Sequence, residues 1–115
     1  MGQAVKQAIK KVLCGSGAES VLPPDEVAKL IKEGALILDV RTMMEAKKGM
    51  ARDSVSIPLI RLKRRLHELP HDKNIVTYCG TGERAGKARD ILEAAGFKAF
   101  NGGGYEEILK IVGTK

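Results

Sequence analysis

The amino-acid sequence predicts an α/β domain, a parallel sheet of about five strands flanked by helices on both faces. Three observations predict it. Short apolar runs alternate along the chain with stretches whose apolar residues recur at helical spacing. The apolar runs are continuous rather than alternating, as in strands covered on both sides. The connections are a few residues long and are punctuated by Gly and Pro.

Residues 3–13 place Val5, Ile9, Val12 and Leu13 on one side of a helix with lysines opposite, and Cys14-Gly15-Ser16-Gly17 reads as a linker. Residues 1–20 are therefore expected to be an extension that packs on the domain or meets a membrane surface or partner, and residues 21–115 the domain itself. Val21-Leu22 reads as a short first strand. Pro23 and Pro24 open a helix, with Asp25 and Glu26 in its first turn and Gly34 past its end. Residues 35–40, ALILDV, form the second strand. Residues 43–48 give one or two helical turns before Gly49, and 54–57 a third strand closed by Pro58. Residues 59–69 align Leu59, Leu62, Leu66 and Leu69 on one helical face, and Pro70 ends it. NIVTYC, 74–79, is the fourth strand. A helix from Arg84 or Ala85 to Ala95 buries Ala85, Ala88, Ile91, Leu92 and Ala95, with Gly96 as its terminal glycine. FKAFN, 97–101, is the fifth strand. The glycines at 102–104 read as a turn before a last helix.

Composition narrows the function. The chain has 115 residues, 43% apolar and 30% charged, and no Trp. This is one soluble domain with an aliphatic core. A net charge of +6 reads either as a solvated basic surface or as a field that favours anionic substrates or acidic partner proteins. Nucleic acid is disfavoured, because two Tyr and two Phe offer little base stacking and the basic cluster 61–65 is interrupted by Leu62. No run approaches the ~20 apolar residues of a membrane span. Cys14 and Cys79 fit neither a disulfide framework nor a zinc spacing, and free thiols suit a reducing compartment. The expected location is the cytoplasm, or the periplasm if a leader has been removed. The expected state is a monomer.

The chemistry centres on YCGTGERAGK, 78–87. A nucleotide phosphate loop fails twice, because Thr81 stands where its first glycine belongs and Ala88 follows Lys87. A dinucleotide fingerprint matches Gly80, Gly82 and Ala85, yet Asn101 lies where an acid is needed and too little chain follows. The remaining functional reading takes Cys79 as a nucleophile at the carboxyl end of a buried strand. Gly80 and Gly82 let backbone N–H groups turn toward the sulfur, and the next helix points its positive end there. Such a nest favours thiolate over thiol. Arg84 adds a fork of donors suited to oxyanions. Glu83 opposes that trend if it faces the sulfur and does little if it faces solvent. The bland alternative is an inert buried cysteine.

These residues carry a family resemblance. YCGTGERAGKARDILEAAGF is similar to the catalytic strand, Cys-x-x-Gly-x-Arg loop and following helix of single-domain rhodaneses, the thiosulfate sulfurtransferases. LILDVR, 36–41, resembles the strand with their Asp-Val-Arg signature. Glu45, Gly49 and VSIPL, 55–59, fit the segment after it, and NGGGYEEI, 101–108, resembles the glycines before the last helix in the small phage-shock-type form. The likeness spans roughly residues 21–112. Gly49-Met50-Ala51 and Arg52-Asp53 depart from the usual Gly-His-Ile and Pro-Gly, at positions that shape structure rather than chemistry.

The resemblance implies a rhodanese-like fold and a sulfane sulfur carried on Cys79, with no cofactor and no metal. Gly80, Thr81, Gly82, Glu83 and Arg84 would bind the donor, thiosulfate or a persulfide. An acceptor thiol or an acidic partner protein would then take the sulfur. Asp39 and Arg41 would hold the loop through hydrogen bonds and an ion pair. Related cell-cycle phosphatases have loops of seven residues, whereas Cys79 to Arg84 is six, which favours sulfur over phosphate. The competing class is a non-catalytic sulfur carrier or protein-binding module that docks through residues 61–65 and the N-terminal helix.

Overall fold

The computed structural model describes residues 21–114. The expected N-terminal helix, its linker and Cys14 lie outside the described residues. The element order is α1 (Pro24–Lys32), β1 (Leu36–Asp39), α2 (Met43–Lys47), β2 (Ser54–Ser56), α3 (Leu59–Leu62), a single 3-10 turn (Leu66–Glu68), β3 (Asn74–Cys79), α4 (Glu83–Ala94), β4 (Lys98–Gly104) and α5 (Tyr105–Val112). All strand pairs are parallel and the order across the sheet is β2-β1-β3-β4. The chain runs from β1 outward to β2, then returns to the other side of β1 as β3. The seam between β1 and β3 is thus a topological switch point, where the carboxyl ends of parallel strands open a crevice.

Side chains alternate across each strand, so consecutive residues serve different cores. Leu38, Ile75 and Cys79 join Leu62, Ala85, Ala88 and Leu92 on the face covered by α3 and α4. Ile37, Val76 and Tyr78 join Val27 and Ile108 on the face covered by α1 and α5. Burial of each such aliphatic side chain contributes roughly 1.5–3 kcal/mol.

Several expectations are corrected. Among the described residues the sheet has four strands rather than about five. Val21 forms only an isolated bridge with Asn101, because Pro23 and Pro24 follow at once and proline donates nothing to a ladder. The helix expected over 59–69 breaks after Leu62. Arg65 instead pairs with Glu68 at 2.8 Å, a three-residue separation that a 3-10 turn eclipses. Leu62 and Leu69 are buried, Leu59 and Leu66 half-buried. Ala95 follows the end of α4 and is exposed. Gly102–Gly104 are not a turn but the end of β4. Between Thr77↔Asn101 and Cys79↔Gly104, β4 advances three residues while β3 advances two, which is a bulge.

Candidate active site

β3 delivers Cys79 to the carboxyl end of the sheet, fully buried and on the α4 side. The chain must then reverse into α4 within a few residues. Gly82 makes this turn at φ 109°, a left-handed conformation that costs glycine little. The turn brings the Gly82 N–H to 2.9 Å and the Ala85 N–H to 3.4 Å from Cys79 Sγ. Two amides at the start of a twelve-residue helix therefore converge on one sulfur.

The loop is tied from behind. Asn101 Nδ2 donates to the Gly82 carbonyl at 3.0 Å, and its Oδ1 accepts from the Gly103 N–H at 2.9 Å. Thr77 Oγ1 donates to the Ala85 carbonyl at 2.8 Å. Gly104 passes so close that a Cβ there would lie 2.6 Å from the Gly80 carbonyl oxygen. Val21 packs on the same turn, 3.2 Å from where a Cβ of Gly82 would sit.

Arg84 occupies the first turn of α4. Its Nη1 and Nη2 donate to Glu45 Oε1 and Oε2 at 2.7 and 3.0 Å, a bidentate pair. These hydrogen bonds raise the Arg84 pKa; burial opposes them, and the Glu45 charge and the nearby Cys79 add to them. The pair lies over Gly80, where a Cβ would meet Arg84 Nη2 at 3.2 Å and Glu45 Oε2 at 3.8 Å. Glu45 reaches this point because Thr42 and Glu45 form a capping box that starts α2. The Arg84 hydrogen bonds, followed by that of the Thr42 backbone, pull its carboxyl down to about 2. Glu83 and Thr81 are exposed.

Asp39 and Arg41 form an ion pair at 2.8 Å, both buried. Among the described residues, their side-chain hydrogen bonds run to each other, to Gly49 and to Tyr78. Arg41 Nη2 donates to the Gly49 carbonyl at 2.6 Å, and Tyr78 Oη donates to Asp39 Oδ2 at 2.8 Å. The Arg41 guanidinium also lies 4.1 Å from the Tyr105 ring centre. Burial lowers the Arg41 pKa, but the Asp39 hydrogen bonds and charge outweigh it and the net shift is upward. Burial likewise pushes Tyr78 up. Strand alternation sets this network apart from Cys79. Tyr78 and Cys79 are neighbours in sequence and therefore face opposite sides of the sheet.

The geometry can hold an anionic sulfur at the end of β3, behind a half-exposed guanidinium–carboxylate pair. The model of the Rhodanese-like domain family matches residues 23–110. The chain belongs to the rhodanese-like domain family. A protein named sulfurtransferase from Allochromatium vinosum is 34% identical over 65 residues, which span 56% of this chain and 61% of that relative. The crystal structure of reduced CoADR-RHD from Bacillus anthracis superposes with a TM-score of 0.69 at 34% identity, over 81% of this chain and 18% of that one. A rhodanese-like domain protein from Staphylococcus aureus superposes at 0.68 with 26% identity, over 80% of this chain and 92% of its own.

Within this rhodanese-like domain, sequence reasoning missed three residues. Glu45 was legible only as a motif match, although Thr42-x-x-Glu45 is a capping-box signature that places a carboxylate at a helix start. Thr77 and Asn101 carry no local signal, because the Ala85 and Gly82 carbonyls that they hold lie far along the chain.

Proposed function

We propose that the chain is a sulfurtransferase that moves a sulfane sulfur from thiosulfate or a persulfide donor to a thiophilic acceptor through a Cys79 persulfide. The observation that carries this reading is the convergence of the Gly82 and Ala85 N–H groups on Cys79 Sγ. In the first step the Cys79 thiolate attacks the outer sulfur of thiosulfate. An Sγ–S bond forms, the S–S bond of the donor breaks, and sulfite leaves with the electron pair. Cys79 then carries an anionic persulfide, which the preorganised amides stabilise without reorganising. In the second step an acceptor thiolate, or cyanide in an assay, attacks the terminal sulfur and the Cys79 thiolate is regenerated. Gly80, Thr81 and Gly82 line the path, and Arg84 meets the donor. The exposed Glu83 has little part in it. The six-residue span from Cys79 to Arg84 and the relative named sulfurtransferase support sulfur over phosphate.

Intact-mass measurement after incubation with thiosulfate tests the reading. One added sulfur atom, removed by cyanide and missing in Cys79→Ser, is expected. Sulfur that persists in Cys79→Ser, or no addition to the wild type, sinks it.

A further inference from the structure

Both carboxylate oxygens of Glu45 are engaged by Arg84 directly over Gly80, the residue after the proposed nucleophile. The guanidinium best placed to meet a donor's oxyanion is thus already neutralised by a fixed carboxylate. That carboxylate is held from its own side by the Thr42 N–H at 2.9 Å and the Thr42 hydroxyl at 3.1 Å, so it is not free to swing away from the loop at no cost. The pair is half-exposed, 35% for Arg84 and 38% for Glu45, and so stands where an entering anion meets it.

We infer that Glu45 is a specificity-determining residue, a charge filter at the mouth of the Cys79 site that favours singly charged or neutral sulfane-sulfur donors over dianionic ones. Coulomb repulsion from one fixed carboxylate scales with the donor's charge. A dianion such as thiosulfate feels about twice the penalty of a monoanion of the same shape. It also finds the Arg84 fork occupied, and must either share it or displace Glu45. A donor with its sulfane sulfur on a thiol brings no oxyanion head and needs no such fork. The inference rests on the sulfur-transfer reading and deepens it.

Thiosulfate and methanethiosulfonate separate the charge effect from the chemistry. Both offer a sulfane sulfur bound to an oxidised sulfur, but they carry two charges and one. Steady-state kinetics with each donor, cyanide as acceptor, should be compared for the wild type, Glu45→Gln and Glu45→Asp. Glu45→Gln removes the charge and keeps an acceptor for Thr42. It should lower KM for thiosulfate about tenfold and for methanethiosulfonate about threefold, since the effect is exponential in donor charge, with kcat within about twofold for both. Glu45→Asp retains the charge and should keep the wild-type ratio of the two donors to within about twofold. Equal changes for the two donors, a rise in the thiosulfate KM of Glu45→Gln, or a ratio in Glu45→Asp that moves as far as in Glu45→Gln would each overturn the inference. Failure of the wild type to take sulfur from either donor would instead overturn the sulfur-transfer reading, and this inference with it.

Discussion

At the residue scale, Glu45 joins a helix cap to the candidate site, and its ionisation is the lever on both. Oε1 accepts from the Thr42 N–H, the Thr42 hydroxyl and Arg84 Nη1, while Oε2 accepts from Arg84 Nη2. These bonds favour the carboxylate, so its pKa falls from 4.5 to about 2. A depressed folded-state pKa contributes stability that is present above the unfolded value and is lost as pH falls through the folded one. The window is therefore between 4.5 and about 2. Because the pair is more than a third exposed, solvent screening limits its contribution to about 1 kcal/mol. Urea midpoints should place Glu45→Gln about 1 kcal/mol below the wild type at pH 6, with the gap closing toward pH 2. A gap that stays constant across that range would mean that the charge of Glu45 has no role in stability.

At the scale of elements, the site is the junction β3–loop–α4 with β4 pressed against it. Gly104 presses on the loop itself, since a Cβ would stand 2.6 Å from the Gly80 carbonyl oxygen and 3.4 Å from Thr81 Cα. Both are backbone atoms that cannot rotate aside. Gly104→Ala should cost about 1–3 kcal/mol as overpacking and shift the loop that aims the amides, so persulfide formation in the folded protein should slow at least about tenfold, the effect of a small displacement of a preorganised site. Unchanged sulfur uptake by mass spectrometry would show that the loop relaxes freely. The buried cysteine, its loop and the following helix were legible from 78–95 because strand, turn glycines and helix are all local signals. The bulge and the close approach of Gly104 were not, because a run of glycines reads as a turn until its pairing with β3 is known. The broken helix at 59–69 was missed for a related reason. Four leucines at helical spacing fit a continuous helix, and that spacing does not reveal the Arg65–Glu68 pair or that Leu62 and Leu69 alone of the four are buried.

At the scale of the whole molecule, the sheet separates two tasks by facing. Cys79 and its amides belong to the α3–α4 side, whereas Asp39, Arg41 and Tyr78 knit the α1–α5 side to the Gly49–Ala51 turn. The sequence placed Asp39, Arg41 and Cys79 at strand ends along one edge, but register and facing decide which of them meet, and those are properties of the assembled sheet. The separation has a consequence for mutation. Asp39→Asn removes the charge that compensates the buried Arg41, whose side chain is only 6% exposed. Breaking one side of such a pair costs about 3–5 kcal/mol, with retained hydrogen bonds to the amide oxygen favouring the low end. Denaturant unfolding should show that loss. Sulfur uptake per folded molecule should stay within about threefold of the wild type, because nothing on the Cys79 side has lost a partner. Uptake that fell in parallel with stability, measured where the variant is demonstrably folded, would mean that strain crosses the sheet between Tyr78 and Cys79 and that the two faces do not act separately.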